Sequence, residues 1–275
     1  MDNNPLKQYF RRPAVYLRLP SGGIGYDESI IDMPENLEIP IYPMTAIDEI
    51  TSRTPDALFN GTAVIELIKS CVPNIKDPWS ISNIDMDAIL VAIKSASSES
   101  GDMDISSTCP KCETSASFSI SLASILGSIS SPDYETELEY GDLVFKLKPI
   151  SYREINSASM EQFEFQKMVA QVDNIEDDDL RNQTVKDALE KITNITMNLL
   201  SHSVAYIKTP TSTVEDREFI LEFLRNCDKK IYTAIRDHSS KLREEAEIKP
   251  MSVQCTNCQH EYKQAITLNP TDFFD

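Results

Sequence analysis

Four of the six cysteines fall in two C-x-x-C pairs, Cys109 and Cys112 in "SSTCPKCETSASFSISL" and Cys255 and Cys258 in "SVQCTNCQHEYKQAITL". Two thiolates spaced this way grip one side of a tetrahedral ion, and a closed zinc site needs four such ligands. The two segments share one form: a polar approach, a C-x-x-C turn, then an alternating strand a few residues on. That is the form of a zinc knuckle, whose turn aims two sulfurs at one point while backbone N–H groups between them donate to the thiolates. The expectation is therefore one structural Zn2+ held by Cys109, Cys112, Cys255 and Cys258. A common ribbon separates its halves by about 15 to 20 residues, whereas a hairpin and several helices intervene here. The cost of closing a loop grows only logarithmically with its length, so the separation is physically acceptable. Ordinary reduced thiols, two separate half-sites and an iron–sulfur centre remain as alternatives.

The other chemistry these residue types offer is less well supported. A redox C-x-x-C sits at a helix N-terminus after a βαβ pattern, and "CPKC" lies instead between strand-like segments. Catalytic zinc needs an open coordination position and a base. His260 and Glu261 offer a ligand and a base, but no H-E-x-x-H pattern accompanies them. An enzyme using the C-x-x-C region by zinc or thiol chemistry is thus the alternative class. His260 is expected to pack beside its knuckle or donate to a thiolate, and His202 and His238, each alone in a helical segment, to be ordinary satisfied residues. Cys71 is read as core and Cys227 as a helical thiol without a special role. "PSGGIGYD" (Pro20 to Asp27) lacks the Lys-Ser/Thr of a P-loop and reads as a turn.

What surrounds these groups narrows the class. With 275 residues and 41% hydrophobic content the chain can bury a substantial core. Its 44 acidic against 26 basic residues give a formal charge of −18, which repels phosphate backbones and anionic lipid and makes nucleic acid and membrane poor partners. No apolar run reaches the length of a spanning helix and the first residues do not resemble a secretory signal, so the six cysteines are expected to stay reduced. The acidic runs "DNIEDDD" (Asp173 to Asp179) and "PDYETELEYGD" (Pro132 to Asp142) read as solvated loops, with a docking patch for a basic partner as the alternative.

The elements that must position the cysteines follow from periodicity. Residues 10 to 45 carry two alternating runs punctuated by Pro13, Pro20, Pro40 and Pro43, hence short or edge strands. A helix is expected from a Thr54 cap and Pro55, interrupted at Asn60-Gly61 and continuing to Pro73. A second starts at Asn83 or Asp85 and carries Ile89, Leu90, Ala92 and Ile93. Trp79, the only tryptophan, is expected in the core. "ASFSISL" is a strand, a Ser-rich connection follows, and "TELEYGDLVFKLKPI" is a hairpin turning at Gly141-Asp142. From the capping box "SYRE" at Ser151 the chain reads as helical almost to Lys249, with breaks at the acidic run, at "TPTSTVED" and near Asn226 or Asp228.

Several segments resemble the baseplate hub assembly and hub subunit proteins of T4-like contractile-tailed bacteriophages. The resemblance lies in "QYFRRPAVYLRLPSGG", "LEIPIYPMTAIDEI", "TPDALFNGTAVIELIKSCVPNI", "PWSISNIDMDAIL" and the tail "CTNCQHEYKQAITLNPTDFFD". It covers roughly residues 8 to 125 and 250 to 275, and nothing is carried over to the acidic helical middle. It implies a protein without enzymatic activity that builds the hub, as a component or an assembly factor. Its partners would be other baseplate hub proteins, with the tape measure protein as a further candidate. It would work in the host cell cytoplasm during assembly, with the virion tail baseplate as a second location. Phe273 and Phe274 would then either tuck against their own knuckle or insert into a partner.

Together these readings give an α+β protein in four segments. Residues 1–100 are short strands and helices, 101–150 the first knuckle and a β-hairpin, 151–249 a helical insertion, and 250–275 the second knuckle and tail. The zinc-ribbon-like knuckles bracket the hairpin and the insertion.

Overall fold

A computed structural model describes residues 4–52, 61–172 and 177–266. The fold is α+β. Two compact units make up the chain: Met1–Ser131 together with Ala246–Asp275, and Pro132–Glu245 between them. All four cysteines of the C-x-x-C pairs belong to the first unit.

In that unit, strands β1 (Val15–Leu17) and β2 (Ile39–Ile41) pair antiparallel, Tyr16 opposite Pro40. Each is three residues long because prolines close in on both, so the sheet stops at two strands. Helices α1 (Ala46–Ser52), α2 (Thr62–Cys71) and α3 (Asn83–Ser97) follow. Thr54, Pro55 and Asn60 lie outside the described residues, so the expected first start of the second helix is not visible; the helix described begins after Gly61, whose φ of 77° suits glycine. From Ile84 to Ile93 only Asp87 escapes full burial, which marks α3 as the central helix of the unit. Its cap is Ser82, one residue before the expected Asn83: the Ser82 hydroxyl accepts from the Asp85 N–H.

Asp85 itself turns inward. Its carboxylate, fully buried, accepts from the Ser21 N–H (2.8 Å), the Ser21 hydroxyl (2.5 Å), the Tyr26 hydroxyl (2.5 Å) and the Ser82 hydroxyl (3.0 Å). The "PSGGIGYD" segment is thus the turn expected of it, tied to the start of α3. Arg11 ties down the N-terminal segment by donating to the Pro43 and Ser70 carbonyls and the Asp48 carboxylate. Cys71 is fully buried, as expected, and burial raises its thiol to about 11. Trp79, by contrast, is half-buried in a single 3-10 turn, Pro78–Ser80.

Two hairpins complete the unit. Strands β3 (Asp102–Thr108) and β4 (Ser115–Ser121) pair over seven residues, and the Ser-rich stretch after them forms helix α4 (Leu122–Ser128), buried through Leu122 and Ile125. This helix stands where the sequence suggests a connection: Leu122 and Ile125 give it one short buried face, too brief a pattern to read as a helix among the flanking serines. At the other end of the chain, β9 (Met251–Gln254) pairs with β10 (Glu261–Gln264).

The second unit is less helical than its periodicity suggests. Strands β5 (Leu138–Tyr140) and β6 (Leu143–Leu147) form the expected hairpin at Gly141, and helices α5 (Tyr152–Val172), α6 (Asp178–Ser203), α7 (Arg217–Asn226) and α8 (Lys229–Ala246) follow. Between α6 and α7, however, β7 (Val204–Lys208) and β8 (Thr213–Val214) extend the hairpin into a four-stranded sheet ordered β5-β6-β7-β8. By periodicity "VAYI" reads as the end of the preceding helix. Its β-branched and aromatic residues pair with β6, where Phe145 faces Ile207, and long-range pairing decides the conformation. The core gathers Phe145, Leu147, Val204, Ile207, Ile220, Leu224 and Ile235.

Candidate metal centre

Each C-x-x-C pair occupies the turn of a hairpin, Cys109 and Cys112 between β3 and β4, Cys255 and Cys258 between β9 and β10. The two turns are built alike, bond for bond. The Cys109 N–H donates to the Thr114 carbonyl (3.0 Å) and the Cys255 N–H to the His260 carbonyl (2.9 Å). The Glu113 N–H donates to the Cys109 carbonyl (2.9 Å), and the Gln259 N–H to the Cys255 carbonyl (3.0 Å). Glu113 and Gln259 both take the left-handed conformation, with φ of 58° and 61°. This geometry bends the backbone over its own sulfurs.

The hairpins meet through their side chains as well. The Ser107 hydroxyl donates to Gln264 Oε1 (2.5 Å) and lies 2.8 Å from the Tyr262 hydroxyl. Asn257 Nδ2, from the second knuckle, donates to Thr114 Oγ1 of the first (3.1 Å). Nothing in the sequence singles out Thr114, Asn257 or Ser107. They matter only because the two turns face one another.

The four sulfurs therefore converge, all within 4.8 Å of one another. Cys109 Sγ lies 3.7 Å from Cys258 Sγ, and Cys112 Sγ 3.6 Å from Cys255 Sγ. Four sulfurs at the usual Zn–S distance of about 2.3 Å in a tetrahedron would be separated by about 3.8 Å, so the arrangement fits such an ion. All four are free thiols, far from the roughly 2.05 Å of a disulfide. Cys109 and Cys255 are buried, Cys112 and Cys258 half-buried. Among the described residues this is the one group of three or more His, Cys, Asp or Glu with ligand atoms so close together.

The electrostatics of the bare thiols reflect their crowding. Hydrogen bonding from the Thr114 side chain and backbone pulls Cys112 down to about 6. At Cys258 the His260 backbone favours the thiolate, but burial and the neighbouring thiols Cys112, Cys109 and Cys255 outweigh it and push the group up to about 12. One thiolate forms readily and its neighbour resists, because adjacent negative charges repel. A divalent cation at the centre would remove that conflict, since its own charge offsets the added thiolates. The backbone donors Thr114 and His260 come two residues after the second cysteine of each pair. His260 contributes through its backbone, while its ring stacks on Tyr262 at 6.3 Å.

The remaining candidates stay apart from this centre. Cys71 lies beside Arg11 and Asp48, and Cys227 caps the end of α7, half-buried. His202 approaches Glu154 (3.6 Å), and His238 buries an Nε2 without a hydrogen-bond partner. Phe273 and Phe274 lie outside the described residues.

Residues 30–275 match the family described as T4 bacteriophage base plate protein. The chain belongs to that family. No curated protein and no solved structure matches it. As a base plate family member the chain is a structural phage tail protein, and the family implies interaction with other baseplate proteins. The match runs through the helical middle, to which the sequence resemblance carried nothing over, and begins past "QYFRRPAVYLRLPSGG". Among the described residues of this base plate protein no helix is long and apolar enough to cross a membrane.

Proposed function

We propose that this base plate protein builds the central hub, as a hub subunit or a hub assembly factor, through protein–protein contacts and without catalysis. In this reading Cys109, Cys112, Cys255 and Cys258 hold a structural Zn2+ that clips together the two chain segments of the first unit. The convergence of four sulfurs from two like turns is the observation that supports the clip. Four protein sulfurs would complete a tetrahedral shell and leave no position for a substrate, which favours a structural over a catalytic metal.

The partners in this reading are other baseplate hub proteins, with the tape measure protein as a further candidate, met in the host cytoplasm during assembly. Mass spectrometry of purified virions together with capture of partners from infected cells tests the proposal. A hub protein recovered with this chain supports it. Recovery only with peripheral baseplate proteins would overturn the hub role and leave the family assignment intact. The zinc- or thiol-dependent enzyme reading draws on the lowered Cys112 thiol, and metal analysis separates the two: a closed zinc site masks that thiol from alkylating reagents.

A further inference from the structure

The two knuckles share their backbone hydrogen bonds but differ in the side chains that meet the sulfurs. Inside the C-x-x-C turn the first has Lys111 where the second has Asn257, and two residues past the turn the first has Thr114 where the second has His260. Lys111 is exposed, and the His260 ring lies against Tyr262. Asn257 instead reaches across to the other knuckle. Its Nδ2 donates to Thr114 Oγ1 at 3.1 Å and stands 3.9 Å from Cys112 Sγ, while Thr114 Oγ1 is itself 3.4 Å from that sulfur. The three atoms close a triangle on one ligand sulfur, the half-buried member of its pair.

A hydroxyl donates one proton and still accepts, whereas an amide nitrogen only donates and a thiolate only accepts. While Cys112 is a thiol, its S–H faces Thr114 Oγ1. Once the sulfur has lost that proton, the hydroxyl must supply the bond from its own side. Asn257 fixes this sense, because its amide occupies an acceptor site on the Thr114 oxygen and cannot take the hydroxyl proton through Nδ2. We propose that Asn257 is a positioning residue of the metal centre, acting through Thr114 to direct the hydroxyl proton at the Cys112 sulfur, so that a ligand of the first knuckle is steadied by a residue of the second. The inference rests on the reading of the four cysteines as a metal clip. Four thiolates bring more negative charge than a divalent ion cancels, and donors around them relieve the excess. Asn257 and Cys112 are 145 residues apart in the chain, so this donor is in place only when the two turns face one another.

Zinc affinity of the full chain, measured by chelator competition at one pH, and the absorption spectrum of the chain loaded with cobalt(II) in place of zinc test this. Asn257 is exposed, so its substitution leaves the core untouched. Asn257→Asp keeps the shape but puts an acceptor where the amide donates, and the carboxylate draws the Thr114 proton away from the sulfur. It should weaken zinc binding by about 10–100-fold and move the thiolate-to-cobalt charge-transfer band to lower energy, since a sulfur without its donor gives up electron density more easily. Thr114→Val should shift both in the same direction, and Thr114→Ser, which keeps the hydroxyl, should restore the parent's values. Lys111→Ala makes the same one-unit change in charge at the matching position of the other knuckle and should leave both unchanged. A parent chain that takes up the ion while Asn257→Asp and Thr114→Val bind it as tightly and with the same band overturns this inference and spares the clip. An equal loss in Lys111→Ala overturns it too, by showing an effect of net charge alone. A parent that takes up neither zinc nor cobalt overturns the clip, and the inference with it.

Discussion

Cys109 Sγ and Cys258 Sγ lie 3.7 Å apart although 149 residues of chain separate them. That proximity joins the first hairpin of the chain's outer unit to its last. It holds together two segments of that unit that the inserted residues separate in the chain. Because a closed loop of this length costs much entropy to form, a link across it has correspondingly large leverage on the folded state.

The purified protein is expected to carry one zinc ion per chain. Cys109→Ser should abolish that and lower stability by at least about 3 kcal/mol, roughly 6–12 °C in Tm for a domain of this size. Cys227→Ser, away from the centre, should leave metal content unchanged. Elemental analysis and thermal denaturation check both, and a Cys109→Ser protein as stable as the parent would remove the shared site.

Acid should release the metal. Cysteine must lose its proton to bind, so zinc affinity falls as pH falls. Competition with a chromogenic chelator across the pH range should show affinity dropping steadily toward acid, and a flat profile would mean that thiolates are not the ligands.

Gln259 is held at a φ of 61°, a region that disfavours β-branched side chains most. Gln259→Val should cost about 1–2 kcal/mol, and Gln259→Gly should be within about 1 kcal/mol of neutral, since freedom from strain is offset by a more flexible unfolded chain. Denaturant titration distinguishes them. Equal effects would show that the second knuckle does not need its left-handed residue.

Asp85 accepts from four donors. Asn at this position keeps the shape but turns one acceptor into a donor, leaving Ser or Tyr hydroxyls facing an N–H. The expected loss is about 2–3 kcal/mol, read by chemical denaturation. A loss below about 0.5 kcal/mol would mean that the Ser21–Tyr26 turn holds without this carboxylate.

Asp87 is raised to about 7 by burial and, secondarily, by the charge of Glu247. The folded state therefore holds this proton more tightly than the unfolded state, where the group titrates near its ordinary value of 3.8. The resulting stabilisation is fully present below about pH 4 and is lost as pH rises toward 7. Asp87→Asn removes that dependence, so the variant should gain on the order of 1–3 kcal/mol over the parent at pH 8 and little at pH 4. Parallel stability curves at the two pH values would sink the assignment.

Much of the architecture is legible in local patterns. The Gly141 turn, the helix start at Ser151 and the proline-limited strands β1 and β2 all appear as their residues imply, because each depends on neighbours a few positions away. The cysteine quartet is legible for another reason: two like turns carrying paired thiols imply a common ion. The strands β7 and β8 were hidden, since "VAYIK" follows a long amphipathic helix and becomes a strand only by pairing with β6. Helix α4 was hidden because its buried face is only Leu122 and Ile125, a pattern too short to show a period.

By itself, then, the sequence determined the residue types, the knuckle turns and the acidic character of this base plate protein, since those rest on composition and short-range geometry. Only the tertiary structure decided that the four sulfurs come together, that Thr114 and Asn257 bridge the knuckles, and that the Asp85 carboxylate gathers donors from Ser21 and Tyr26. Each of those is a distance between segments far apart in the chain, and such distances are settled by packing.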